Sequence, residues 1–457
     1  MSGASEKLKF TEKLGYGLGD TASNFYFQFF NVFLLYYYTD VFGLSPIAVG
    51  TMFLVTKVVD ALSDPAMGLV ADRTETRWGK FRPYLLWAAV PYGLCGYPMF
   101  AGPDLSETGR LIYAYCTYTL VMLAYTVINV PYSALMGVIS HSSVERTRVA
   151  SYRFFCAFSA AWLIVTFVPF MKNTLGGGDE ALGFKLTMAI FAVVSVALFW
   201  ITFATTKERV RPVQEDAKIT RDFHLLLRNG PWIALFAAAI FTLMNVAARN
   251  GSILYYFKYY VGDDGTRIFW IWDKTTVFMS LGTLAVLIGI TLTKRLCDYF
   301  EKRTLLVTLT IANALSMAVF YVIPPDQYWT MVAVNCIGAL VIGPTPPLVW
   351  SMYTDTAAYG EWKTGRRTTG LIFSSLLFAQ KLGLAFGTGL AGVVLSWFGF
   401  VANVEQTETA MAGIRFLFSI LPALLAIAGA VAILFYRIDR KMLGTMEREL
   451  KERHAPS

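Results

Sequence analysis

Two aspartates, Asp60 and Asp64, stand one helical turn apart inside an apolar stretch, residues 48–70, that is long enough to cross a lipid bilayer. A carboxylate at the bilayer centre costs about 3 kcal/mol even on the lenient insertion scale, so such a pair is expected to face a polar interior and bind something there. The simplest guest is a cation. A second reading needs only the chain itself. Lys57 shares the face at i−3 from Asp60, so the three charges could form a cluster that only holds helices together. One lysine cannot neutralise two carboxylates, which favours the cation.

The rest of the chain sets this pair in a membrane. With 56% hydrophobic and 15% charged residues and a positive mean hydropathy, the 457 residues have the balance of a polytopic membrane protein and exclude a soluble globule. Residues 1–11 are polar and carry Lys7 and Lys9 without an apolar core or a small-residue cleavage site, so no cleaved signal peptide is expected and the first apolar segment is a span. The five cysteines are scattered without C-x-x-C spacing, which points to neither a disulfide framework nor a metal centre. The net charge of +8 is spread over short separated loops rather than one stripe, so no nucleic-acid partner is expected.

Apolar runs fall near residues 18–38, 46–70, 84–101, 111–135, 151–170, 185–205, 231–257, 270–293, 304–323, 329–352, 371–398 and 412–436. With the N-terminus cytoplasmic, the inside segments hold 28 of the 39 basic residues, which places both termini in the cytoplasm. The longest charged linker separates the sixth and seventh runs. The expected layout is therefore an all-α integral membrane protein, with twelve transmembrane helices in two six-helix bundles. Residues 1–206 form the N-terminal bundle, 207–230 a cytoplasmic central loop, 231–436 the C-terminal bundle and 437–457 a cytoplasmic tail. Pro131, the stretch Pro344-Thr345-Pro346-Pro347, and Gly383, Gly387, Gly389 and Gly392 mark places where helices bend or pack closely.

Between the second and third runs the chain reads GLVADRTETRWGKFRP from Gly68 to Pro83, a cationic loop with one acid, Asp72, near the end of the second span. This loop resembles the one that the major facilitator superfamily carries here, in the version of the glycoside-pentoside-hexuronide:cation symporter family, whose best-known member is the melibiose carrier. Further blocks match in order: YYYTD at 36–40, DALSDP at 60–65, Tyr152-Arg153-Phe154, YGEWKTG at 359–365 and NVEQ at 403–406. The resemblance covers almost the whole chain and implies the major facilitator fold, with alternating access around a site between the bundles.

The resemblance also implies residue roles. Cation coordination falls to Asp60, Asp64 and Thr126, with Ser63 where the melibiose carrier has an asparagine and Lys57 where it has an arginine. These are oxygen ligands for Na⁺ or Li⁺, and the same carboxylates could carry H⁺. On the sugar side Arg153 and Lys381 match, whereas two acids are replaced by Asn24 and Asn129 and an aromatic by Ser133. These departures make the cavity more cationic than the melibiose carrier's and point to a glycoside, a pentoside or an anionic hexuronide. From position alone Asp20, Tyr125, Asn245 and Trp350 join the candidate lining, Trp350 as a stacking platform for a sugar face. Lys57 and Lys381 are the candidate coupling residues. Lys381 is expected to pair with Asp60 or Asp64 until a cation displaces it.

The expected activity is cation-coupled symport of a sugar across the cell inner membrane by a chain acting as a monomer, with no cofactor beyond the coupling ion, Na⁺, Li⁺ or H⁺. No Walker A sequence is present for ATP-driven transport. A membrane enzyme built on Glu405, His141 and the span-two acids lacks histidines in the apolar runs and any H-E-x-x-H motif. A lysolipid-like carrier and a sugar sensor that does not translocate are the remaining alternatives.

Overall fold

The structure, a computed structural model, describes residues 7–140, 142–210, 226–365 and 369–454. His141, His224, most of the 207–230 loop and the side chain of Asp72 lie outside the described residues. Within them the regular structure is helical. In chain order the α-helices are α1 (Phe10–Phe29), α2 (Pro46–Arg73), α3 (Arg82–Trp87), α4 (Ala89–Met99), α5 (Glu107–Val138), α6 (Ser143–Gly176), α7 (Glu180–Thr205) and α8 (Gly230–Tyr255). They continue as α9 (Lys274–Tyr299), α10 (Lys302–Val319), α11 (Tyr328–Ile342), α12 (Thr345–Thr364), α13 (Thr369–Trp397), α14 (Glu408–Phe418), α15 (Ile420–Leu434) and α16 (Arg440–His454). Each of the twelve apolar runs coincides with helix, and among the described residues eight helices are long and apolar enough to cross a membrane.

Local chemistry sets the starts and breaks. Side-chain oxygens of Ser45, Ser106, Asp179, Asn229 and Thr407 accept from the otherwise unserved amides that open α2, α5, α7, α8 and α14. The proline stretch splits its run between α11 and α12, as the missing amides require. Pro131, by contrast, leaves α5 unbroken. The run expected from 270 begins as helix only at Lys274. Phe269 and Trp272 form a bridged turn with Trp270 at φ 52°, and Asp273 accepts from Thr276 to open the helix. Hydropathy there came from aromatic rings that lie in a turn.

The chain divides into two compact units, Met1–Gln214 with Thr266–Thr276, and Glu215–Gly265 with Val277–Ser457. In the first, α1 packs on α6 and α7, and α2 on α5. An aromatic cluster of Phe29, Phe33, Tyr37, Phe100 and Phe184 fills one end. At the other end charged groups tie the helices. Arg209 grips Glu12 with both terminal nitrogens, and Glu208 accepts from the amides of Lys80, Phe81 and Arg82 at 2.8–2.9 Å. The Gly79 backbone, at φ 111°, makes room for that carboxylate, which a Cβ there would strike. Glu145 accepts from Lys13 at 2.7 Å, and that bond, against the upward push of burial and with help from the Leu8 amide and Arg148, holds its carboxyl below the ordinary glutamate range.

In the second unit α8 packs on α13 and α15. Its core runs from Leu235 and Met352 to Met446, so the tail expected at 437–457 contributes a helix, α16, that docks on this core. Both units close their first long helix in the same way. The sequences from Asn31 to Gly43 and from Asn250 to Gly262 share a register of Leu-Tyr-Tyr and Gly. In each, π-helical turns (Phe30–Leu34 and Tyr37–Val41, and Tyr256–Val261) lead to a left-handed glycine. A six-residue bond seals each end, Leu44 N–H to the Tyr38 carbonyl and Asp263 N–H to the Phe257 carbonyl. The two segments are an internal repeat of sequence and of backbone conformation.

Gly383 and Gly387 sit one turn apart on α13 against α8. A Cβ on Gly387 would stand 2.4 Å from the Met244 carbonyl oxygen and 2.7 Å from the Ala247 side chain. Gly387→Leu is expected to lower the apparent melting temperature of the detergent-purified protein, reflecting a cost of about 1–3 kcal/mol from overpacking. Gly137→Ala, which meets nothing within 4 Å, should hold or raise it. Equal melting temperatures for Gly387→Leu and wild type would show that the helices do not approach this closely.

Candidate functional site

The two span-two acids point to one hydroxyl. Asp60 lies on α2 with only 1% of its surface exposed, and Asp64 follows one turn later, partly buried. Thr126 of α5 places its Oγ1 3.0 Å from Oδ1 of Asp60 and 3.0 Å from Oδ1 of Asp64. Ser63 bonds back to the Asp60 carbonyl and sits 3.3 Å from the same threonine oxygen. Lys57 approaches Asp60 Oδ2 at 3.8 Å. A threonine hydroxyl has one hydrogen, so it can donate to only one carboxylate at a time. Four oxygen-bearing side chains thus converge, and the Lys57, Asp60 and Asp64 trio sums to one negative charge. Such a set can hold a monovalent cation or a proton.

A second cluster joins α1, α5 and α6. Tyr16, Asp20 and Asn24 recur at four-residue spacing on one face of α1. Arg153 of α6 donates from Nε to Asp20 Oδ1 at 3.1 Å, and its guanidinium stands 5.5 Å over the Tyr132 ring. Tyr132 stacks on Tyr16 at 4.7 Å, and each phenol donates to the other residue's backbone carbonyl. Asn24 donates to the Asp20 carbonyl. Asn129 accepts from Ser23 at 2.6 Å and donates to the Tyr125 carbonyl. Asn129 and Thr126 are neighbours on α5, so one helix contributes to both clusters.

Four further candidates lie on α5, α8, α12 and α13. Ser133 is exposed on α5. Trp350 is partly buried on α12 against the core of the second unit, where Lys381 lies partly buried on α13 and Asn245 is buried on α8. Glu405 is exposed in the loop before α14, where Gln406 instead ties the turn by donating to the carbonyls of Val401 and Val404. Tyr16, Ser23 and Tyr132 were not singled out by sequence. The i−4 spacing of Tyr16 from Asp20 was the available signal, whereas nothing in one dimension pairs Ser23 with Asn129.

A double-mutant cycle tests the shared hydroxyl. Thr126→Val keeps the shape and removes the hydrogen, and hydrogen bonds to charged groups are worth about 1.5–3 kcal/mol. Thermal unfolding of Asp60→Asn, Thr126→Val and the double variant is expected to give a double cost smaller than the sum of the singles. Additive costs would show that Thr126 does not serve Asp60.

Over residues 15–440 the chain matches the family described as MFS/sugar transport protein. It is 38% identical to the inner membrane symporter YicJ of Escherichia coli (strain K12), covering 98% of this chain and 96% of that one. With the isoprimeverose transporter of Lactiplantibacillus pentosus it shares 31% identity over 97% of this chain and 93% of the relative. Its fold is that of the solved nucleoside transporter NupG, with a TM-score of 0.64 at 11% identity over 94% of this chain and all of that one. The long apolar helices and these likenesses lead to one conclusion, that the chain belongs to the MFS/sugar transport protein family and is a membrane transporter rather than an enzyme.

Proposed function

We propose that the chain carries out cation-coupled symport of a sugar across the inner membrane, by alternating access of two six-helix bundles with both termini cytoplasmic. The observation that supports this most directly is the convergence of Asp60 and Asp64 on the one hydroxyl of Thr126, because carboxylate and hydroxyl oxygens gathered within an apolar helical layer are ligands suited to a small cation or a proton. Sugar as the cargo draws support from the isoprimeverose transporter, a relative that spans the chain from end to end, and from the Arg153, Asn24 and Asn129 donors on the neighbouring faces. Among cargoes, glycosides, pentosides and hexuronides suit such donors. The coupling ion is Na⁺, Li⁺ or H⁺, each compatible with oxygen ligands alone.

The test is uptake into proteoliposomes under an imposed Na⁺ or H⁺ gradient. Asp60→Asn and Asp64→Asn are each expected to abolish accumulation while retaining sugar exchange, because an amide weakens cation attraction and leaves the sugar face intact. Gradient-driven accumulation at wild-type level in both variants would remove the cation-site assignment.

Lys381 is proposed as the coupling residue, an ammonium on α13 that competes with the cation for the span-two acids. Lys381→Met is expected to change the cation dependence of sugar affinity, and linkage requires sugar to change cation affinity by the same factor. Titrations with wild-type coupling in both directions would assign Lys381 a packing role along its aliphatic stem.

A further inference from the structure

We propose that Asp20 sets the substrate charge of this transporter, holding Arg153 as an electrically balanced donor that selects uncharged sugars over uronates. The inference rests on the reading of the chain as a sugar carrier and narrows its substrate class to neutral glycosides and pentosides.

The argument starts from how the guanidinium is held. Asp20 takes only Nε of Arg153, at 3.1 Å. Among the described residues, the two terminal nitrogens carry no hydrogen bond, and the side chain keeps 30% of its surface exposed while Asp20 keeps 10%. The charge is therefore compensated from one edge, and the fork that forms paired hydrogen bonds is left facing outward. Behind it, Tyr16 and Tyr132 are fully buried, and both phenol hydrogens are committed to backbone carbonyls, so the stack is scaffold that fixes the guanidinium plane. The neighbouring helices cannot slide apart easily. A Cβ at Gly17 would meet the Cys156 sulfur at 2.7 Å, and Thr21 donates to the Cys156 carbonyl, one turn from Arg153. The pair is thus fixed in place.

A fork of N–H donors with no net charge behind it suits adjacent sugar hydroxyls, which accept from both terminal nitrogens. A uronate bound at the same fork would place a second carboxylate beside a guanidinium already matched by Asp20, in surroundings of low dielectric, where like charges repel strongly. The loss of acids at Asn24 and Asn129 had suggested a cavity richer in positive charge. Asp20 restores one negative charge on the same helix face and reverses that expectation for Arg153.

The test compares methyl glucosides, galactosides and xylosides with methyl glucuronides and galacturonides, as both anomers. Binding to the purified full chain is measured by calorimetry at fixed Na⁺ and pH. Wild type is expected to bind a neutral glycoside more tightly than any uronide. Asp20→Asn, which keeps the oxygen that accepts from Nε, should shift the uronide-to-neutral affinity ratio by about tenfold or more toward uronides. Arg153→Gln is expected to move the ratio the other way, and Asp20→Asn/Arg153→Gln to return it to the wild-type side, since the ratio follows net charge even where affinities fall. A merely structural Asp20 would lower all affinities together. A ratio unmoved in Asp20→Asn, or a double variant that keeps the uronide preference, overturns the charge assignment alone. A wild-type protein that binds none of these sugars overturns the sugar-carrier reading along with it.

Discussion

A charge carried into an apolar helical layer needs a counter-group within reach, and the placement of these counter-groups decides most of what is distinctive in this protein. The price of leaving a carboxylate or guanidinium unmatched in the apolar interior is several kcal/mol after relaxation. The first unit meets this demand twice, by different means. Asp60 and Asp64 share the Thr126 hydroxyl, and the Lys57 ammonium stands 3.8 Å from Asp60. Asp20 and Arg153 meet each other. The first arrangement gathers carboxylates around one hydroxyl, whereas the second balances a carboxylate against a guanidinium that still offers hydrogen-bond donors.

These two arrangements share α5. Thr126 serves the acids of α2, and Asn129, one turn on, is bonded to Ser23 of α1. A rigid helix that touches both sets gives them a common mechanical element, which is what reciprocal binding needs. Pro131 follows within the same helix without breaking it. Because proline removes an amide, the Val127 carbonyl lacks its usual partner, and the helix between the two sites is held by one fewer internal bond.

What the sequence disclosed follows from how far each physical signal reaches. Hydropathy is a local average, so among the described residues the apolar runs it marks coincide with helix, and it misled at Phe269–Trp272, where aromatic surface sits in a turn. Helical periodicity reaches one turn, which was enough to place Lys57, Asp60 and Asp64 on one face. Thr126 was reached through family resemblance, and the hydroxyl's position between the acids needed coordinates. Pairings between distant helices carry no such local signal. Asp20 and Arg153 were each singled out, but their bond, across 133 residues, was invisible. The π turns were likewise illegible from propensity, although the repeated Leu-Tyr-Tyr and glycine register was there to be noticed.

Arg249 of α8 shows how the second unit handles the same demand without a carboxylate. Among the described residues no acid pairs with it. It donates instead to the Phe418 carbonyl at 3.1 Å and lies over the rings of Phe320 and Phe418 at 4.8 and 4.4 Å. That carbonyl closes α14, and the residue four positions on, where a continuous helix would supply its amide donor, is Pro422. The proline leaves an acceptor in the apolar layer and the arginine brings a surplus of donors, so each relieves a cost that the other would bear alone. Two features that look unfavourable in isolation, a broken last span and an arginine without an acid, are thus one compensated unit. Removing either would expose the other, which explains how a guanidinium can be buried among aromatic faces, the Phe418 carbonyl and the Asn335 amide oxygen.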